Sequence, residues 1–160
     1  MRRVVLLVLV VLSVACRNKP RESQGEVEQA RLTSLIERAE LITVSNMPYG
    51  HEGAKVIWVS SARSDIEELK EAATFLWPPE SHCLCLGYPA IRLYRRQDEI
   101  LSITSFDWKT IRWQTPAEPI WHDNWQSTAA PILDDVRLKD PKKWRRWFES
   151  RNIPTVAPLE

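Results

Sequence analysis

Only three histidines and three cysteines stand among the 160 residues, and that scarcity excludes a good deal. No second cysteine pair joins Cys83 and Cys85 at the spacing of a structural zinc site. Neither a Gly-x-Ser-x-Gly segment nor a comparable nucleophile motif is present, so a hydrolytic triad has no anchor point. Charge of one sign is missing too. With 22 basic and 21 acidic side chains the formal charge is +1, which offers no footprint for nucleic acid. The apolar run from Val4 to Ala15 stops short of the roughly 20 residues that a bilayer-crossing helix needs. What is left is ordinary globular composition, 44% hydrophobic and 27% charged, in a length that suits one domain.

The first residues fall outside that domain. Arg2 and Arg3 form a positive leader, Val4 to Leu12 an apolar stretch, and Ser13-Val14-Ala15 sets small residues before Cys16, the organisation of a secretory signal over residues 1–15. Without Arg2 and Arg3 the chain keeps 20 basic and 21 acidic groups, a formal charge of -1. Residues 16–26 are polar and carry Pro20 and Gly25, so they read as a tether.

The segment Ser13-Val14-Ala15-Cys16 resembles the bacterial lipobox, with serine where leucine is commonest. That resemblance implies a diacylglyceryl group on Cys16, which becomes the mature N-terminus. Several acyl chains at about 0.8 kcal/mol per buried CH₂ would make such attachment effectively permanent. Arg17, following the cysteine, is similar to the class sorted to the outer membrane where a cell has two membranes. The expectation is a domain held outside the cytoplasm by an N-terminal lipid, in a compartment where disulfides persist.

The domain itself is expected over residues 27–156, with a tail at 157–160. Ser23 and Glu26 have capping-box spacing, and Leu32, Leu35, Ile36, Ala39 and Ile42 recur at helical spacing, which predicts a helix from Val27 to about Val44. Lys55 to Ser60 is a short apolar run and reads as an interior strand buried on both faces. A second capping box, Ser64 with Glu67, begins a helical stripe of Ile66, Leu69, Ala73 and Leu76 that Pro78-Pro79 ends. A strand, a helix and a further strand make a crossover unit. Period-two alternation then runs through Ile91 and Leu93, Leu101 and Ile103, and Ile111 and Trp113, with turns at Gln97-Asp98-Glu99 and Asp107-Trp108-Lys109, so a three-stranded meander follows. Ser127 or Thr128 caps a short helix through Leu138, and Asp140-Pro141 opens a last helix to Arg151 with Trp144, Trp147 and Phe148 on one side. The fold class is α+β: a small, mainly antiparallel sheet, one crossover plus the meander, packed with N-terminal and C-terminal helices, the last of them over the sheet's second face.

Three places invite chemistry. Cys83 and Cys85 fall on one face of a strand, with His82 on the other. They are small packed residues, or a local disulfide or redox pair, or two ligands of a soft metal with His82 nearby. His122-Asp123 pairs an imidazole with a carboxylate in a loop, where polarity alone accounts for both. Of the eight tryptophans, Trp58, Trp113, Trp144 and Trp147 suit the core, while Trp108, Trp121 and Trp125 flank loops, where rings stack on sugars or lipid headgroups or cap the core. The run Cys83, Cys85, Gly87, Pro89 and Ile91, followed by a hairpin and Ile111-Arg112-Trp113, resembles a group of uncharacterised bacterial proteins with a Cys-x-Cys-x-Gly-x-Pro-x-Ile and Ile-Arg-Trp pattern, to which no activity attaches.

Taken together, the residues point to a non-enzymatic binding or interaction domain. It needs no cofactor and is anchored to a membrane through Cys16, with an envelope protein or glycan as partner. The rival is a thiol-redox or metal-binding protein that uses Cys83 and Cys85.

Overall fold

Ser23 opens the first element through a reciprocal cap: its hydroxyl accepts from the Glu26 amide at 3.3 Å while its own amide donates to the Glu26 carboxylate at 2.8 Å. The computed structural model describes residues 23–46, 53–79, 87–116 and 135–155. Helix α1, Gln24–Glu37, buries Leu32 and Ile36 and stops well short of the expected end. The remainder of the predicted helix is instead strand β1, Leu41–Ser45. Ile42, Thr43 and Val44 are β-branched, and in the interior of a sheet their stiffness becomes an advantage, with Ile42 and Val44 alternating into the core.

Strand β2, Val56–Ser60, follows, and here a second expectation fails. It is an edge strand, paired antiparallel to β1 alone among the described residues. A four-residue apolar run has the same appearance inside a sheet and at its margin, and the interior place had already gone to Leu41–Ser45. Helix α2, Arg63–Ala72, is capped by Ala62 without a side-chain bond, so the Ser64 to Glu67 box is not used. Nor does it reach Pro78. The chain after Ala73 straightens, because the Thr74 carbonyl accepts from the Lys139 amide at 2.9 Å and the Leu76 amide donates to Arg137 at 2.7 Å.

The meander forms as expected: β3, Ala90–Arg95, β4, Asp98–Phe106, and β5, Thr110–Gln114, are antiparallel neighbours, with the first turn at Arg96-Gln97. Strand β6, Val136–Arg137, replaces the end of the predicted helix through Leu138 and completes the order β2-β1-β3-β4-β5-β6. Since β2 and β3 are each antiparallel to β1, they run in one direction and flank it, which gives the strand-helix-strand crossover of an α+β chain. Helix α3, Pro141–Glu149, begins where Asp140 accepts from the Lys143 amide at 2.9 Å, with proline at its first position.

The three described helices lie on one face. Ile42, Val44, Ile91, Leu93, Leu101, Ile103, Ile111 and Trp113 line that face, and α2 packs against both α1 and α3. Trp144 fixes the third helix there by donating from its indole to the Ser105 hydroxyl at 3.0 Å. The expectation that the last helix covers the opposite face is therefore corrected. Trp144, Trp147 and Phe148 share the core of the other helices because their indole donors find partners on that side, Ser105 on β4 and the Asp65 carbonyl on α2.

Candidate functional site

Cys16, His82, Cys83, Cys85, Trp121, His122, Asp123 and Trp125 lie outside the described residues, as do residues 1–15 and 157–160. Among the described residues no group of three or more His, Cys, Asp or Glu side chains is arranged to hold a metal ion. No described helix is long and apolar enough to cross a membrane. In the segment Ile111-Arg112-Trp113, Ile111 and Trp113 face the helices, and Arg112 turns to the other face and meets Asp135 at 2.9 Å. Gly87 is buried and Pro89 follows a cis peptide bond.

The face that carries none of the described helices is largely polar in its central strands. Register aligns Thr43, Arg92, Ser102 and Gln114 in one row, and Ser45, Ala90, Thr104 and Arg112 in the next. Arg112 and Asp135 are only 6% and 5% exposed, so their ion pair is a buried one. Arg92 approaches Glu99 at 3.8 Å, and burial raises the Glu99 carboxyl above the usual range despite the opposing pull of Arg92. These contacts pair charges with one another, while the Gln114 side-chain oxygen is buried without a hydrogen-bond partner.

The β2 edge is different. Asn46 pins its start: the Asn46 side chain accepts from the Lys55 amide at 2.6 Å, and its backbone amide donates to the Lys55 carbonyl at 3.1 Å. Gly53, at φ +89, supplies the left-handed step of the return. At the far end the Ser60 hydroxyl accepts from the Ala62 amide at 3.0 Å and donates to Asp65, which Arg151 grips from the last turn. The Arg151 guanidinium lies 4.5 Å over Trp147, and Trp147 meets Trp58 edge-on at 5.5 Å. The inner face of β2 is thus locked to α2 and α3.

Its outer side is bare among the described residues. Val56 is 58% exposed, Ile57 39% and Val59 54%. One extra residue in β2, opposite the step from Val44 to Ser45, breaks the alternation. Val56 then shares the helix-free face with Ile57 and Val59, since its register partner is Ser45 and that of Val59 is Thr43. No charged side chain or proline interrupts Val56 to Ser60, the usual guards of an edge. A rigid strand with open backbone groups and three aliphatic side chains on one side can accept another strand in extended conformation.

The other apolar exposure is Leu76, at 46%, beside Trp77, at 38%. Sequence periodicity had placed Leu76 in a core stripe and gave Trp77 no role. The only sequence signal was the Pro78-Pro79 pair, which removes two backbone donors directly after Trp77. Trp108, expected beside a loop with its ring stacking on a ligand or capping the core, packs edge-on against Phe148 at 5.2 Å and so caps the core margin. Set beside protein-family models, curated proteins and solved structures, the chain matches none of them.

Proposed function

We propose that this protein is a bacterial envelope lipoprotein, attached through Cys16, whose domain is a non-enzymatic interaction module. The observation that carries the reading is the β2 edge: Val56, Ile57 and Val59 exposed on one side of a strand whose inner face is fixed by Trp58, Trp147 and Arg151. The partner is a protein segment in extended conformation, which adds to β2 through backbone hydrogen bonds while the aliphatic side chains give an apolar grip. The anchoring half rests on Arg2, Arg3, the apolar run to Leu12 and the small residues before Cys16. The rival thiol-redox or metal use of Cys83 and Cys85 rests on residues outside the described ones.

Three variants test both halves. A photoreactive residue at position 57 should crosslink to a partner in the intact envelope, and Val59→Lys, which charges the edge, should abolish that crosslink. As a surface change, Val59→Lys should leave the unfolding free energy, from urea denaturation, within about 0.5 kcal/mol of the parent. Equal crosslinking in the Val59→Lys protein would sink the edge. Cys16→Ser should release the domain from membranes or block processing, and a variant still processed and retained after a carbonate wash would sink the anchor.

A further inference from the structure

We propose that Leu76 and Trp77 form a membrane contact that seats the anchored domain on a lipid bilayer carrying anionic headgroups. The proposal rests on the anchored reading above and adds an orientation to it. Both side chains are large, apolar and substantially exposed, in a segment held from behind: the Leu76 amide donates to Arg137 at 2.7 Å, and the Phe75 amide to the Gln29 side chain at 2.9 Å. A rigidly mounted exposed tryptophan has an apolar body and one donor, the chemistry that favours the boundary between headgroups and acyl chains.

Its position relative to the anchor is the second ground. Gly25, in the first turn of α1, lies so close under Trp77 that a Cβ added there would come within 2.5 Å of the Trp77 Cβ. Trp77 therefore stands at the point where the chain from residue 22 enters the domain. Between Cys16 and Ser23 there are seven residue steps, which at roughly 3.3 to 3.6 Å each reach at most about 25 Å. A lipid on Cys16 confines the start of α1, and Trp77 with it, to that distance from the membrane.

Charge is the third. The backbone partners of this segment bring basic residues to the same end of the sheet: Arg137 opposite Leu76, Lys139 opposite Thr74 at 2.9 Å, and Lys109 bonded to Leu138 at 2.7 Å. Arg137, Lys139 and Lys109 are all exposed, and residues 17–22 of the tether add Arg17, Lys19 and Arg21 against one acid, Glu22. The acidic neighbour on α1, Glu26, is turned into its own helix cap by Ser23. Basic residues held near an anionic surface add attraction to it. The contact lies at the β6 edge, five strand spacings from β2, or about 24 Å at the usual strand separation. Seating the domain there leaves the β2 edge away from the bilayer.

The test uses the full chain, purified from envelopes in detergent and reconstituted into phosphatidylethanolamine vesicles with and without phosphatidylglycerol, part of the lipid carrying brominated acyl chains. Flotation is measured first, then the quenching of tryptophan fluorescence by bromine. The parent should float and be quenched, and Trp77→Phe should float equally but lose most of the quenched component. Phosphatidylglycerol should increase the quenching of the parent and have little effect on Trp77→Phe. A parent that floats but is quenched no more than Trp77→Phe overturns the contact and leaves the anchor standing. A parent that does not float overturns the anchor, and the contact with it. Near-ultraviolet dichroism of Trp77→Phe, unchanged apart from one exposed ring, excludes misfolding as the cause.

Discussion

The two edges of the sheet solve the same physical problem in opposite ways. At the β6 edge the strand is two residues long and its outer side is taken by Thr74 to Leu76, through bonds of 2.7 and 2.9 Å to Arg137 and Lys139. Behind it, Arg112 and Asp135 lock β5 to the same margin as a buried pair. At the β2 edge the strand is five residues long, has no strand partner on its outer side among the described residues, and exposes three aliphatic side chains. An edge of that length and composition invites pairing, and folded chains ordinarily blunt it with charge, proline or cover. The difference is that one edge is covered by described residues and the other has no cover among them.

Helix α3 ties the β2 edge to the middle of the sheet, through Trp147 on Trp58 and Trp144 on Ser105, and the largest expected effect comes from cutting that tie. Trp144 is fully buried and its indole is bonded to Ser105. Trp144→Ala should cost about 3 to 5 kcal/mol, enough to unfold a marginal domain outright. Urea unfolding followed by far-ultraviolet dichroism measures it, and a loss below about 1 kcal/mol would show that the helix is an ornament on the sheet.

A paired experiment separates the edges. Asp135→Ala leaves Arg112 buried without its carboxylate and should cost about 3 kcal/mol, with amide exchange accelerating first at Thr110 to Arg112. Arg151→Ala removes bonds to Asp65, Glu68 and the Trp147 carbonyl, the first two at 3.0 and 2.8 Å. It should cost about 2 kcal/mol, because those bonds carry charge, and should loosen β2 and α2. Were both variants to accelerate exchange at the same amides, the edges would not be independent units.

The smallest effect lies between the edges. Burial raises the folded-state pKa of Glu99 above its unfolded value, so its contribution to stability is fully present below the unfolded pKa and is lost as pH rises through the folded one. Glu99→Gln should therefore be slightly more stable than the parent at pH 7, and the advantage should vanish near pH 4, about the unfolded pKa of a glutamate. Paired urea midpoints at the two pH values check the sign. A variant less stable at pH 7 would mean that the attraction of Arg92 outweighs desolvation.

Where local chemistry is self-contained, the sequence is a reliable guide. Ser23 with Glu26 and Asp140 with Pro141 each cap a helix because the partner lies three residues away or in the ring itself. The meander is legible because Ile91, Leu93, Leu101, Ile103, Ile111 and Trp113 keep period two in strands joined by short turns. Leu41 to Ser45 misleads for a definite reason: Ile36, Ala39 and Ile42 continue the helical spacing, while Ile42 and Val44 also fit the spacing of a strand. Ser64 with Glu67 misleads because a capping box also occurs by composition, and here Ser60 and Asp65 hold the turn instead. Of the candidate site residues, the two exposed surfaces were invisible, since apolar residues look alike whether they face a core, a partner or a lipid.

The sequence alone determined the α+β class, the helix caps, the meander and the set of aromatic residues available to fill a core, because each depends on neighbours close along the chain. Only the tertiary structure decided that Val56 to Ser60 is an edge, that Leu76 and Trp77 face outward, and that the three described helices share one side of the sheet. Those outcomes depend on which strand took the interior place beside β3 and on where the indoles of Trp144 and Trp147 found acceptors, Ser105 and Asp65, 39 and 82 residues away. Competition of that kind between distant segments for one pairing site or one acceptor leaves no mark in local periodicity.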